Sequence, residues 1–164
     1  MTERRAAELE IAVRVLSDAE HGLVRALTAG TPESDNTYPA RALAEEMAGD
    51  SEREIPENRV IFGLFADGRL AAVGCGTVED EGRGYISRVY AAGAFRGRGI
   101  GRRLTNHIES YLRDGGCDTA YIYCWSPMTG TQRFWMKMGY ARVASRAHRH
   151  EDVLGAVVRC EKPL

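Results

Sequence analysis

The sequence predicts an α/β (α+β) fold: a mixed, mostly antiparallel seven-stranded sheet with about four helices and one parallel unit of strand, helix and strand. Three observations carry this. Short runs rich in strand formers recur along the chain between turn signals. One amphipathic run, about Gly99 to Asp114, stands between two such runs, and a strand, crossover helix and strand in sequence imply parallel pairing. At 164 residues, with 44% apolar and 27% charged residues, the chain has the size and composition of one domain (residues 1–164) with its own core.

In chain order, Leu9 to Leu16 alternates Ile11, Val13 and Val15 with Ala12 and Arg14, the period of a half-buried strand. Asp18 is placed to cap a helix from about Ala19 to Thr28, which Gly30 stops. Thr31 to Tyr38 has loop chemistry. A second helix is expected from about Ala40 to Ala48, ending near Gly49, and the polar segment Asp50 to Asn58 is expected to be a mobile loop. Arg59 to Phe65 and Leu70 to Val78 flank Asp67-Gly68, a strong hairpin signal. Glu79 to Arg83 then turns the chain into a fourth strand, Gly84 to Ala91. Its alternation is disturbed between Arg88 and Ala91, where a bulge or the close approach of an extended ligand fits.

The helix at Gly99 to Asp114 places Ile100, Leu104, Ile108, Tyr111 and Leu112 on one face and Arg102, Arg103, Asn106, Glu109 and Arg113 elsewhere. His107 is expected on the apolar face, half-buried. Gly115-Gly116 ends the helix. Thr119 to Trp125 is a fifth strand. Pro127 to Thr131 is expected as a turn and Gln132 to Met138 as a short helix. A sixth strand runs through Val143, and Val153 to Glu161 supplies the seventh, with His148 and His150 in the loop between them.

Composition excludes some classes of function. The net charge is -1, which gives no reason to expect a nucleic-acid binder. No stretch approaches a membrane span. Charge is nevertheless segregated: from Arg83 to His107 there are six arginines and no acid, and from Ala42 to Glu57 six acids against Arg53 alone. Such a pattern suits an anionic donor and a cationic acceptor, and equally suits solvated faces. Cys75, Cys117, Cys124 and Cys160 have no metal-like spacing and read as free thiols of a cytoplasmic protein.

The most informative stretch is Arg96-Gly97-Arg98-Gly99-Ile100-Gly101-Arg102. Three alternate glycines let the backbone turn its N–H groups the same way. A helix starting there adds unpaired amides and the positive end of its dipole. The arginines add planar donor forks suited to phosphate oxygens. The implied ligand is a pyrophosphate. There is no Gly-Lys-Ser or Gly-Lys-Thr for a P-loop, and the glycine spacing does not fit a dinucleotide fingerprint.

Arg96, Gly99 and Gly101 match Arg/Gln-x-x-Gly-x-Gly/Ala, so the segment resembles the pyrophosphate signature of the GNAT acetyltransferase superfamily. Ser87-Arg88-Val89-Tyr90-Ala91 resembles its Lys-Arg-Leu-Tyr-Val strand. Phe134-Trp135-Met136-Lys137-Met138-Gly139-Tyr140 resembles its helix exit, and Cys160-Glu161-Lys162-Pro163-Leu164 a common carboxyl end. The resemblance covers nearly the whole chain. It implies acetyl-CoA as co-substrate and no metal, with the pyrophosphate on Gly97, Arg98, Gly99, Ile100, Gly101 and Arg102, and Arg96 closing one side. The pantetheine would run against the main chain of Val89, Tyr90 and Ala91, with Trp135 beside the cofactor.

The implied chemistry is direct attack of an amine on a thioester, with the developing oxyanion received by an N–H at or near Val89. The amine must lose a proton and the thiolate gain one. Three positions depart from the family pattern. Trp135 replaces the usual helix tyrosine, Met128 a common asparagine, and Tyr85 an acidic residue of the fourth strand. Glu79 is the substitute base, acting through water, and Tyr123 the substitute acid. Tyr38, the acidic second helix and the Asp50 to Asn58 loop are expected to shape the acceptor pocket. The expected function is an N-acetyltransferase acting on a primary amine of a small molecule, amino acid or peptide; the alternative is a non-catalytic acyl-CoA-binding module. Oligomeric state, a homodimer included, is not read from the sequence.

Overall fold

The computed structural model describes residues 8–29, 31, 36–150 and 153–164. Seven strands form one sheet: β1 (Ile11–Leu16), β2 (Arg59–Ala66), β3 (Arg69–Val78), β4 (Arg83–Ala91), β5 (Thr119–Trp125), β6 (Ala141–His150) and β7 (Val153–Pro163). Their order is β1-β2-β3-β4-β5-β7-β6. As the sequence predicts, β4 and β5 pair parallel, whereas β1–β2, β5–β7 and β6–β7 are antiparallel. The helices are α1 (His21–Ala26), α2 (Tyr38–Ala48), α3 (Ile100–Asp114) and α4 (Thr129–Lys137). The chain divides into two compact units, Met1–Glu54, Ile61–Gly74 and Arg88–Leu104 in the first, Ile55–Val60, Cys75–Ser87 and Thr105–Leu164 in the second.

In the first unit, β1 and β2 pair from Ile11 opposite Ala66 to Leu16 opposite Ile61. Gly63 sits under Leu16 and Leu70, where a Cβ would come within 2.9 Å of Leu70 Cδ1, so only glycine admits both leucines. The turn after β2 puts Asp67 and Gly68 at φ 49 and 77, the left-handed pair a tight hairpin needs. Helix α2 buries Ala40, Leu43, Ala44 and Met47. It stops at Gly49, which takes φ 78 and lets the Asp50 N–H return to the Glu45 carbonyl at 2.9 Å.

In the second unit, the later half of α3 lies close on the sheet because β3 and β4 carry Gly76 and Gly84 beneath it. A Cβ there would approach Ile108 Cγ2 to 3.0 Å and Leu112 Cδ1 to 2.7 Å. β5 and β7 pair through seven positions, from Thr119 opposite Pro163 to Trp125 opposite Val157. β6 follows β7 with an irregularity between Arg142 and Ala144. Among the described residues no helix is long and apolar enough to cross a membrane.

Several expectations need correction. The first helical segment is a 3-10 turn, Asp18–Glu20, followed by α1, and Ser17 rather than Asp18 stands at its start. The Glu20 carboxylate accepts the Ser17 N–H at 2.9 Å, a reciprocal closure that a capping box provides. The expected stop at Gly30 lies outside the described residues. α4 begins at Thr129, so the residues from Thr129 to Thr131 are helical rather than turn. β6 extends to His150, which puts His148 and His150 in a strand and not in a loop.

Two positions of α3 also differ from expectation. His107 is exposed, whereas Thr105 and Glu109 are buried at 0% and 3% exposure. The buried arc of the helix is rotated toward Thr105 and Glu109, and that rotation takes His107 out of it. Glu109 is tolerated because Lys162 Nζ donates to both its oxygens at 3.0 Å and the Tyr140 hydroxyl donates to Oε1 at 2.9 Å. A buried carboxylate is stable only when so paired.

Candidate active site

The glycine cradle belongs to the first unit. After β4, a 3-10 turn over Gly93–Phe95 leads to Gly97 and Gly99, both at φ 75. An L-residue pays about 1–2 kcal/mol for that left-handed backbone and glycine does not. Both glycines are exposed, and among the described residues nothing stands within 4 Å of where a Cβ would be. Helix α3 begins directly after them, and the Arg103 N–H is the one that reaches back to the Gly99 carbonyl, at 3.0 Å. The amides of Ile100, Gly101 and Arg102 therefore precede the first closed turn, the position at which a helix binds an anion. Arg98 and Arg102 are exposed around them.

Arg96 is held back toward β4. Its Nε donates to the Ala91 carbonyl at 3.1 Å and its guanidinium lies 5.6 Å from the centre of the Tyr90 ring. Tyr90 is 4% exposed and, among the described residues, its hydroxyl meets no hydrogen-bond partner. Val89 and Ala91, either side of it, are half-buried.

The disturbance expected in β4 is found at Arg88, which takes φ 55, a costly conformation for a non-glycine residue. Its side chain lies across Glu46 of α2, with Nη2 and Nε donating to Oε1 at 2.6 and 3.2 Å. Tyr38 faces the guanidinium at 5.5 Å. The ion pair is largely buried and ties the kink before Val89 to a helix. Glu46 was legible only as one of six acids in a charged stretch; nothing in the sequence pairs it with a residue 42 positions away.

The titratable candidates belong to the second unit. Glu79, at the turn after β3, accepts a hydrogen bond from the Tyr121 hydroxyl at 2.7 Å. Tyr121 was not singled out by the sequence; strand alternation places it on the face of Tyr123, which is the only signal that could have found it. Burial first, and then the hydrogen bond and charge of Glu79, hold its phenol protonated well above the usual range. Tyr85, which stands where the family has an acid, stacks on Tyr121 with ring centres 4.9 Å apart. Tyr123 closes the trio edge-on, at 5.7 Å from Tyr121 and 5.9 Å from Tyr85, and is 48% exposed.

Trp135 is buried in the same unit, edge-on to Phe134 and Tyr140 at 5.1 and 5.0 Å. Met128 is half-buried ahead of α4. Among the described residues no group of three or more His, Cys, Asp or Glu could hold a metal ion.

Known proteins match this chain in sequence and in fold. The acetyltransferase (GNAT) family model matches residues 21–140. Glucosamine 6-phosphate N-acetyltransferase 1 of Oryza sativa subsp. japonica is 31% identical over 125 residues, 73% of this chain and 71% of that protein. The ribosomal-protein-S18-alanine N-acetyltransferase of Escherichia coli superposes with a TM-score of 0.71 at 14% identity, covering 94% of each chain. An acetyltransferase of the GNAT family from Streptococcus pneumoniae gives 0.68 at 13% identity, covering 94% of this chain and 100% of that one. At such identities the two structures show a shared fold.

Proposed function

Because the chain belongs to the GNAT acetyltransferase family, and is thus an acyltransferase, we propose that it moves an acetyl group from acetyl-CoA to a primary amine of a small molecule, amino acid or peptide. The observation that carries the donor is the cradle: two glycines at φ 75 running into the first turn of α3, with arginines around it. The diphosphate of the donor sits on the amides of Gly97 to Arg102, and the pantetheine extends along Val89 to Ala91. The rice relative, named for a phosphorylated amino sugar, supports a small-molecule acceptor.

In the transfer, the amine nitrogen forms a bond to the thioester carbon, the carbon–sulfur bond breaks, and the thiolate leaves. An N–H at Val89 receives the charge that builds on the carbonyl oxygen. Glu79 takes the amine's proton through water, oriented by the hydroxyl of Tyr121, and Tyr123 returns one to sulfur. Holding both reactants supplies much of the remaining acceleration. We take residues 1–164 as one domain, supported by a family match that draws on segments of both units, and place it in the cytoplasm on its free cysteines.

Calorimetry with acetyl-CoA and thiol release over a panel of primary amines test this reading. Heat with the donor, and release with at least one amine, are expected. No heat, or no release with any primary amine, overturns it.

A further inference from the structure

A second cluster of cations lies on the sheet of the second unit, apart from the glycine cradle in sequence and in kind. Register puts Tyr123, Arg159 and Ala144 in one row across β5, β7 and β6, and Trp125, Val157 and Arg146 in the next. Rows two residues apart share a face. Between them is a hollow of about 410 Å³ lined by Tyr123, Ala144, Ser145, Arg146, Val157 and Arg159. Ala144 and Val157 are too small to fill it. Two arginines and a tyrosine border it and, among the described residues, no Asp or Glu does.

Arg159 is fixed in place before any ligand arrives. Its guanidinium lies 4.0 Å from the centre of the Tyr121 ring, and Glu161 accepts from it at 2.9 Å. That pairing offsets one of the two charges and leaves that of Arg146. The ordinary explanation for arginines here is protection of a sheet edge against pairing with another chain, and it applies to Arg142, Arg146 and Arg149 on the edge strand β6. It does not account for Arg159, which is on β7 between two strands, nor for a hollow beside it. An arginine's planar donor fork suits oxyanions, and the Tyr121 ring and Glu161 hold that of Arg159 in one position.

We infer that this hollow receives an oxyanion, the carboxylate or phosphate monoester of the acceptor, so that the acetylated amine belongs to an anionic small molecule. The inference rests on the acyl-transfer reading and names its acceptor class. The anionic group is the handle by which the acceptor is held, and the amine is the end that reacts. A cationic or neutral amine would leave Arg146 uncompensated and bind more weakly.

The test uses matched amines with acetyl-CoA held constant: 2-aminoethanol against its phosphate monoester, and alaninamide against alanine. The anionic member of at least one pair is expected to be preferred by about 10-fold or more in kcat/KM. Which pair shows it tells phosphate from carboxylate. R146Q is expected to reduce the preference to about 3-fold or less, acting through KM, with R146K restoring part of it. Inorganic phosphate is expected to inhibit the wild type competitively with the acceptor, and R146Q less so. R159Q is read alongside, with thermal melting to show whether loss of its contacts to Tyr121 and Glu161 unfolds the chain. Equal rates within both pairs, or a preference that survives R146Q and R159Q in folded protein, overturn the inference. Thiol release with any amine keeps the acyl-transfer reading standing in that event, so the two failures are distinguishable.

Discussion

The cradle and the tyrosine face solve different problems with different materials. The cradle, in the first unit, is built from main chain: Gly97 and Gly99 at φ 75 and the opening amides of α3. Its recognition is set by residues within one short stretch. The tyrosine face, in the second unit, is built from side chains of β4, β5, β7 and the turn after β3 that come together only through strand register, with Tyr85, Tyr121 and Tyr123 in ring contact and Glu79 and Arg159 both against Tyr121. A site made of backbone can be read from spacing, whereas one made of cross-strand neighbours requires the pairing to be known.

If that contrast is right, the two regions should fail differently. The largest effect is expected in the second unit from Glu109→Ala, which leaves Lys162 and the Tyr140 hydroxyl without their buried partner. Removing one member of a buried pair costs roughly 3–5 kcal/mol, readable as a shift of the urea midpoint. Loss smaller than about 1 kcal/mol would mean that the pair behaves as a surface one.

In the cradle, Gly99→Val should cost little stability by comparison but weaken CoA about 100-fold by calorimetry, the equivalent of two charge-assisted hydrogen bonds. Unchanged affinity would remove the main-chain account of the cradle. On the tyrosine face, if Glu79 is the base as proposed, Tyr121→Phe should lower kcat about 10-fold and leave the KM for acetyl-CoA unchanged, because the Tyr121 hydroxyl donates to Glu79. A change confined to KM would assign it to binding instead.

Alkaline pH should also weaken the second unit. Burial, with help from Glu79 and Glu109 respectively, raises the phenols of Tyr121 and Tyr140 above their ordinary value of 10.0. A raised folded-state pKa contributes stability that is complete below the unfolded value and lost as pH climbs past it. Urea midpoints should therefore fall as pH rises above about 10, and less so in a Tyr140→Phe variant.

The smallest effect is expected in the first unit at acid pH. The hydrogen bond from Arg14 pulls Glu20 down to about 2 from 4.5, so its contribution is present above 4.5 and lost as pH falls toward 2. The pair is solvent-exposed, and Arg14→Gln should shift the melting temperature by no more than about 2 °C at neutral pH.

Most strands were legible because apolar alternation and Asp67-Gly68 are local signals. The cradle was legible for the same reason. What escaped was whatever depended on a distant partner. Glu109 falls outside the apolar stripe of α3, yet Lys162, 53 residues on, makes it a core residue. Arg88 looked like a break in alternation, and only Glu46 explains why an arginine can hold φ 55 there. β6 was expected to run only through Val143, but its ladder to β7 runs to His150 opposite Val153. Pairing supplied by a neighbouring strand outweighs weak local propensity.

The four cysteines bear on how the activity can be followed. All are buried, and burial pushes Cys124 up to about 12, with Cys117 and Cys160 also raised. Thiolates are the species that react with disulfide chromophores. The folded protein should therefore stay silent toward such a reagent at neutral pH while liberated coenzyme A reacts at once. Colour development then counts turnovers directly, and a rise in the blank reports that the fold has opened.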